Sequence, residues 1–315
     1  MATRHQHRSL LSTDDLTDAD LRAVVGRGAW HAAGRAGGAR TLDGDVVGVY
    51  FRMTSTRTRT AFSSGALRLG AQIIAYGPDD LQINTGESSE DTGRVFARML
   101  DVIVARTGLP QQELAAWADP RRLCVVNAMT AEEHPTQALT DLATLKGRFG
   151  EIEGLRVVYV GEGNNTAASL ALALSRFPGV RFELRTPPGY GLTPEIRARA
   201  EEHAGRSGAT LVERHDMDAL PRDTDVWYTT RWQTTGTVKP DADWRDVFAP
   251  FQVTRELWEH SPKAVFMHDL PAHRGDEVTS EVLDGPRSIA LDQAENKMHS
   301  AMAVLEWCRG VDFAA

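Results

Sequence analysis

The chain has 315 residues, enough for two domains with a core each, and its 42% apolar and 25% charged content is ordinary for a globular protein in water. Its formal net charge of −8 argues against a general nucleic-acid or membrane-surface binder, so any anion site must be local. Its two cysteines, Cys124 and Cys308, lack metal-type spacing and fit a reducing cytoplasm; the basic start MATRHQHRSLLSTDD lacks the apolar stretch of a secretory signal, and no apolar run nears the roughly 18 residues of a membrane span.

Strand-like and helix-like patterns alternate with no internal repeat, which predicts an α/β fold with largely parallel sheets. The apolar run at 45–51 reads as a buried strand. From Thr56 onward, Ala61, Phe62, Ala66 and Leu67 fall at helical spacing, with Thr54 and Ser55 where an N-cap belongs. Arg57, Thr58 and Arg59 then occupy the first turn, where the helix dipole and unpaired N–H groups already favour anions. Two arginines there call for a phosphate or carboxylate partner, unless the helix is simply a solvated basic surface. Runs at 71–76, 102–105 and 123–127 predict further strands, and Val95, Phe96, Met99 and Leu100 form the apolar stripe of a helix. The stretch HPTQALTDLATLKGRFG opens with proline and ends in glycine, predicting a helix that closes a first domain before the boundary EIEG.

The second half restarts with strands predicted at 155–160, 181–184, 210–212, 225–229, 264–267 and 288–291, spaced for a doubly wound sheet. The last helix, 296–310, carries Met298, Met302 and Leu305 at helical repeat and could pack across either domain.

Three stretches carry chemistry. GEGNN, Gly161 to Asn165, follows a strand and opens a helix, as a ligand cradle does. A dinucleotide is one reading, with Glu183 near the place of a ribose-binding acid, but Thr166 stands where the third glycine belongs. The amides of Asn164 and Asn165 suit a polar small molecule, and a turn that needs glycine for geometry is the plain alternative. His134 and Gln137 sit three apart at a helix start, where a histidine stays neutral and both can donate to a substrate carbonyl, or merely cap the helix. FMHDLPAHRGDEV clusters His268, Asp269, His273, Arg274, Asp276 and Glu277 on a Pro- and Gly-containing loop, which suits a substrate loop better than a metal site.

STRTR (Ser55 to Arg59), HPTQAL (His134 to Leu139), GEGNN, LPAHRGDEVT (Leu270 to Thr279) and DQAENKMH (Asp292 to His299), in this order, resemble the aspartate/ornithine carbamoyltransferase family over nearly the full chain. RSLLSTDDLT and ESSEDTGRV look like its ornithine branch. The resemblance implies two doubly wound parallel-sheet domains, 1–147 for carbamoyl phosphate and 148–295 for the acceptor, with helix 296–310 packing back on the first. It implies phosphate binding by Ser55, Thr56, Arg57 and Thr58, and Arg106 bridging phosphate and carbonyl. His134 and Gln137 would hold the carbamoyl group, with His134 and Thr58 near its oxygen. Arg106, His134 and Thr58, with Asp269 of the acceptor loop, are the catalytic candidates. It implies no metal or organic cofactor, and a cytoplasmic homotrimer in which Gln82 or Asn84 reaches a neighbour's site.

The acceptor side departs from the family. His268-Asp269-Leu270-Pro271 replaces the ornithine branch's H-C-L-P, and the aspartate branch has proline at Asp269. Against that branch's D-x-W-x-S-M-G, Asp225 and Trp227 match while Thr229, Thr230 and Arg231 replace Ser-Met-Gly; Thr230 to Gln233 looks like the aspartate branch. Lys297 stands for an arginine that contacts the carbamoyl group, and Met53 for a residue usually charged or proline. The acceptor candidates are therefore Asn165, Asp225, Thr229, Thr230, Arg231, Gln233, Asp269 and Leu270, with Asp269 either binding the acceptor or taking its proton. The expectation is carbamoyl transfer to a nitrogen acceptor other than ornithine in a specialised pathway. The alternatives are ordinary citrulline formation and a non-catalytic binding paralogue.

Overall fold

The computed structural model describes residues 7–34, 38, 40–234, 237–240 and 242–313. The chain forms two compact units, Met1–Arg148 with Glu295–Ala315, and Phe149–Ala294. In the first, β1 (Val46–Phe51), β2 (Gln72–Tyr76), β3 (Val102–Arg106) and β4 (Cys124–Asn127) pair in parallel in the order β2-β1-β3-β4. Its helices are α1 (Asp18–Ala32), α2 (Arg57–Arg68), α3 (Ser89–Phe96), α4 (Gln111–Ala115) and α5 (Pro135–Phe149). In the second, β5 (Arg156–Val160), β6 (Arg181–Arg185), β7 (Thr210–Arg214), β8 (Val226–Thr229) and β9 (Val265–His268) pair in parallel in the order β7-β6-β5-β8-β9. With them run α6 (Asn165–Leu174), α7 (Pro194–Ser207), α8 (Trp244–Phe248), α9 (Leu257–His260) and α10 (Ser280–Leu283); α11 (Ala290–Cys308) ends the chain's regular structure.

All pairings are parallel, so each sheet gathers its functional loops at one carboxyl edge. Buried strands of Val, Ile and Ala are what a sheet covered on both faces requires: β3 has Val102 to Ala105 buried and β8 all four residues. Tyr50, Phe96, Leu100 and Trp117 pack in one cluster of the first unit, and Val158, Trp227, Trp258 and Phe266 in one of the second.

The structure corrects three expected elements. Residues 288–291 are not a strand: Ser288 makes one bridge to Phe266, then α11 begins at Ala290, with Asp292 in its first turn and Leu291 79% exposed. The helix carrying Val95 and Phe96 ends at Phe96, and the apolar set splits, since Phe96 and Leu100 are buried while Val95 and Met99 are 43% and 70% exposed. The N-cap of α2 is Thr56, not Thr54 or Ser55.

Helix α11 joins the first unit through a buried charge cluster. Arg27 donates from Nε and Nη2 to the two Glu306 oxygens, both at 2.8 Å, while His31 Nε2 lies 2.8 Å and Thr41 Oγ1 2.9 Å from that carboxylate. Burial alone would raise the Glu306 pKa, but the hydrogen bonds from Arg27 and His31 outweigh it and hold the carboxyl at about 2, against an ordinary 4.5. A pKa depressed by folding gives stability that is complete above the unfolded value and lost as pH falls through the folded one. Glu306→Gln is expected to lower stability at neutral pH by on the order of 3 kcal/mol. The gap between variant and parent urea midpoints should narrow as pH falls from 4.5 towards 2; a constant gap over that range would refute the assignment.

Candidate active site

The first unit's site is built around the start of α2. Thr56 caps it with helical backbone angles and no side-chain hydrogen bond, so its own hydroxyl does not take the N–H groups of the first turn. Thr58 is buried there, Ser55 and Arg57 are half-buried, and Arg59 is exposed. Arg106 ends β3 in register with Phe51, and its carbonyl accepts the Arg52 N–H at 3.0 Å, which fixes the arginine beside the α2 entry. Gly108 follows with φ +65°, and a Cβ there would lie 2.3 Å from Met53 Sδ. Met53 thus packs over a glycine that no other residue could replace without displacing it.

His134 precedes α5 on a loop held by buried polar groups. Asn127 Nδ2 donates to the Leu11 carbonyl at 2.7 Å, Thr130 accepts the Glu133 N–H, and Glu133 takes Ser12 Oγ at 2.7 Å and the Thr13 N–H at 3.0 Å. Burial first, then the Lys297 and Arg106 charges, push the His134 pKa well below 6.5, so the imidazole is neutral. Thr136 Oγ1 lies 3.3 Å from its Nδ1; donation from that hydroxyl leaves Nε2 as the N–H. Gln137 Nε2 donates to the wholly buried Asp141 at 2.7 Å, and its Oε1 accepts from Lys297 Nζ. An ammonium on one side and a carboxylate on the other leave only one orientation for that amide. Thr58, Phe62, Thr136, Thr140 and Lys297 line one small cavity, so the structure brings Thr58, Gln137 and Lys297 together. Gln82 is exposed in a short turn (Gln82–Thr85) after β2, and its Oε1 accepts from Thr85 at 2.8 Å.

In the second unit the carboxyl ends of β5, β8 and β9 converge. Asp269 Oδ1 accepts from Thr230 Oγ1 at 2.7 Å and Oδ2 from Thr166 Oγ1 at 3.2 Å. Asn165, Thr166, Thr230, Asp269 and Leu270 lie on this edge. Arg231 donates from Nε to the Gln233 carbonyl, and Gln233 Nε2 to the Thr237 carbonyl, which shapes the loop after β8. Glu162 pairs with Lys239, whose Nζ sits 4.6 Å from the Tyr190 ring and 4.9 Å from Phe248, pinning that loop.

Asp225 is a correction. It stands at the amino end of β8, the edge opposite Thr230, roughly 16 Å away at strand rise. Its carboxylate accepts the Arg156 N–H at 2.8 Å, and Trp227 is core. The D-x-W match therefore lies inside a strand. The spacing of D-x-W-x-S-M-G recurs five residues on, as Thr230, Trp232, Thr234, Thr235 and Gly236, with threonine at the acid's place; Thr235 and Gly236 lie outside the described residues. Thr229 is corrected too, since its buried hydroxyl donates to the Val160 carbonyl at 2.6 Å. The Asn164 side chain is committed within the fold, since its Oδ1 caps α6 through the Thr166 and Ala167 N–H groups and its Nδ2 donates to Thr234. A Cβ at Gly163 would lie 2.4 Å from the Gly191 carbonyl carbon, so that glycine serves a chain crossing. Glu183 is bonded to Arg185 at 2.6 Å. These contacts take the features on which a dinucleotide reading rests.

Two family models cover most of the chain: the aspartate/ornithine carbamoyltransferase carbamoyl-P binding domain matches residues 8–147, and the Asp/Orn binding domain residues 153–308. The chain belongs to the aspartate/ornithine carbamoyltransferase family. It is 37% identical over 308 residues to the ornithine carbamoyltransferase of Thermococcus kodakarensis, covering 96% of each. To that of Symbiobacterium thermophilum it is 39% identical over 303 residues, covering 95% and 96%. The solved ornithine carbamoyltransferase from Pyrococcus furiosus matches with a TM-score of 0.89 at 36% identity, over 97% of this chain and 98% of that one. Carbamoyl transfer is the activity class of this chain. No helix of the described residues is long and apolar enough to cross a membrane, and no group of three or more His, Cys, Asp or Glu among them could hold a metal.

Sequence reasoning missed Asp141, Thr136, Thr166 and the His268–Glu277 pair. The signal for Asp141 was its place four residues after Gln137 in the apolar run of α5. With the His134 pKa lowered from 6.5, its uncharged form persists through that pH. The kcat/KM profile should therefore show no inflection from it between about pH 5.5 and 7.5, and His134→Ala should cut kcat by about 10²- to 10³-fold. A profile of the parent that bends near 6.5 and straightens in the variant would contradict the burial argument.

Proposed function

We propose that the chain transfers the carbamoyl group of carbamoyl phosphate to a primary amine of an amino acid, with ornithine as the first acceptor to test. The observation that carries the donor side is the uncapped start of α2, bearing Arg57 and Thr58 in a chain that also buries a neutral His134. In this reading Ser55, Thr56, Arg57, Thr58 and Arg106 hold the phosphate. His134, Thr58 and Arg106 donate to the carbamoyl oxygen, Lys297 adds its charge on the same side, and Gln137 accepts from the carbamoyl amide. The amine lone pair attacks the carbonyl carbon; the tetrahedral intermediate releases phosphate as the C–O bond breaks, and the nitrogen loses a proton. Positioning and charge complementarity supply the rate.

The curated relatives are named ornithine carbamoyltransferase, which favours citrulline formation over the expectation of another acceptor. One observation favours a second reading, an acceptor other than ornithine in a specialised pathway: Asp269 stands at the carboxyl edge between Thr166 and Thr230, where the family resemblance gives cysteine. We read the assembly as a cytoplasmic homotrimer in which Gln82 completes a neighbour's site; its exposure on its own unit and two buried, unbridged cysteines support this.

Purified protein should release phosphate from carbamoyl phosphate above spontaneous breakdown only with an amine present. Mass detection across ornithine, lysine, putrescine, short diamino acids, aspartate and guanidino compounds then identifies the product. Citrulline at rates comparable with the relatives establishes the first reading; a carbamoyl mass on another amine and none on ornithine establishes the second. Arg57→Ala should raise the KM for carbamoyl phosphate by about 10- to 100-fold, the worth of a charge-assisted phosphate contact.

A further inference from the structure

We infer that Cys124 and Cys308 form a redox-modification site, which a hydroperoxide closes into a disulfide that fastens α11 to the first unit's sheet and which a dithiol opens again.

These are the chain's two cysteines, 184 positions apart in sequence, and the fold brings them together. Cys124 opens β4 and Cys308 closes α11; both are wholly buried and carry free thiols. The Cys124 thiol donates to the Cys308 carbonyl at 3.2 Å, and the same carbonyl accepts the Arg8 N–H at 3.1 Å. His7 Nδ1 lies 3.7 Å from Cys124 Sγ. Arg309 follows Cys308 directly, and its Nη1 donates to that histidine nitrogen at 2.9 Å while Nε and Nη2 bond the two Asp45 oxygens. A guanidinium is thereby fixed in the group of side chains around Cys124.

The surroundings give the two sulfurs unequal roles. A hydrogen bond from the Cys308 thiol lowers the Cys124 pKa from 9.0, and the Arg309 charge adds to it, against the opposite push of burial. Burial, and then the bond and charge of Cys124 beside it, push the Cys308 thiol well above that value. Cys124 is the sulfur that forms the thiolate, and Cys308 keeps its hydrogen. Residues 7–9 lie against the pair, held by the Arg8 N–H and by the Ser9 hydroxyl, which accepts the Val125 N–H at 3.0 Å. Local opening of so short a stretch admits a molecule little larger than water.

The chemistry then runs in two steps. The Cys124 thiolate attacks one peroxide oxygen, the O–O bond breaks, and the leaving oxygen takes a proton from water; Cys124 becomes a sulfenic acid. The Cys308 sulfur attacks the Cys124 sulfur, the S–O bond breaks, and water leaves with the Cys308 proton. Two electrons pass from the thiols to the peroxide. The new bond closes a loop of 184 positions and removes from the unfolded chain the arrangements that hold α11 away from the sheet. In a reducing compartment such a bond is transient, and the pair rests as thiols.

The test uses the parent protein, folded and exposed to hydrogen peroxide. Remaining thiols are blocked with iodoacetamide in denaturant, and peptides are mapped without reduction. A peptide joining Cys124 to Cys308 is expected, from a chain that runs as a single chain on a non-reducing gel. Its Tm should rise by about 5 to 10 °C and return with dithiothreitol. Cys308→Ser should accumulate a sulfenic acid at Cys124, trapped by dimedone, that the parent does not accumulate; Cys124→Ser should leave Cys308 unoxidised at the same dose. The mapping on the parent needs no variant, so a variant that fails to fold does not decide the matter. Two thiols still titratable after exposure, oxidation of either sulfur without the link, or a link between chains overturns the inference. A link that leaves Tm unmoved overturns the fastening of α11.

Discussion

The orientation of one carboxamide governs the donor side. Gln137 lies between a buried carboxylate, Asp141, on its own helix and a buried ammonium, Lys297, on the last helix. Neither charge could stay buried alone without a penalty of several kcal/mol, and the amide dipole between them satisfies both. The sequence of α5 follows from this demand. Every residue from Pro135 to Leu145 is buried, yet five of them are Thr, Gln or Asp. Thr140 and Thr144 return their hydroxyls to the helix's own carbonyls, Gln137 and Asp141 bond to each other, and Thr136 turns to His134. A helix that is apolar by position is thereby polar along one line, and the site lies on that line.

Two helix starts in this chain look alike in sequence and differ in use. Both α2 and α6 follow a strand and open in small polar residues. At α6 the Asn164 side chain takes two backbone N–H groups, and a glycine beside it makes room for a crossing chain. At α2 the capping residue Thr56 takes none of them, and Arg57 and Arg59 lie in the first turn. Capping by the protein's own side chain and reception of an outside anion compete for the same donors.

That competition marks the limit of what the sequence conveys. Strand and helix order was legible because buried parallel strands are short apolar runs and the helices between them carry a 3.6-residue period. Residues 288–291 misled because an apolar triplet suits a strand or a helix start equally, and only Ser288 and Asp292 decide between them. The donor-side residues were legible because Ser55 to Arg59 and His134 to Gln137 each lie within one helical turn of chain. The acceptor side draws on the ends of three strands, and a five-residue slip in matching Asp225 moved a carboxylate to the wrong edge of the sheet. No local pattern reports that Thr166, Thr230 and Asp269 meet, since they are 64 and 39 positions apart. Asp141 was hidden for a related reason, because a buried carboxylate reads in sequence as a solvated one.

Residues 295–315 belong to the first unit although 149–294 lie between them and the rest of it. Glu306 completes the Arg27, His31 and Thr41 cluster, Arg309 bonds Asp45, and Lys297 reaches Gln137. These contacts join residues 160 to 279 positions apart. The first unit therefore cannot be cut from the chain as one segment: a fragment ending at Arg148 keeps all four strands of its sheet and leaves Arg27, Asp45 and Gln137 without these partners.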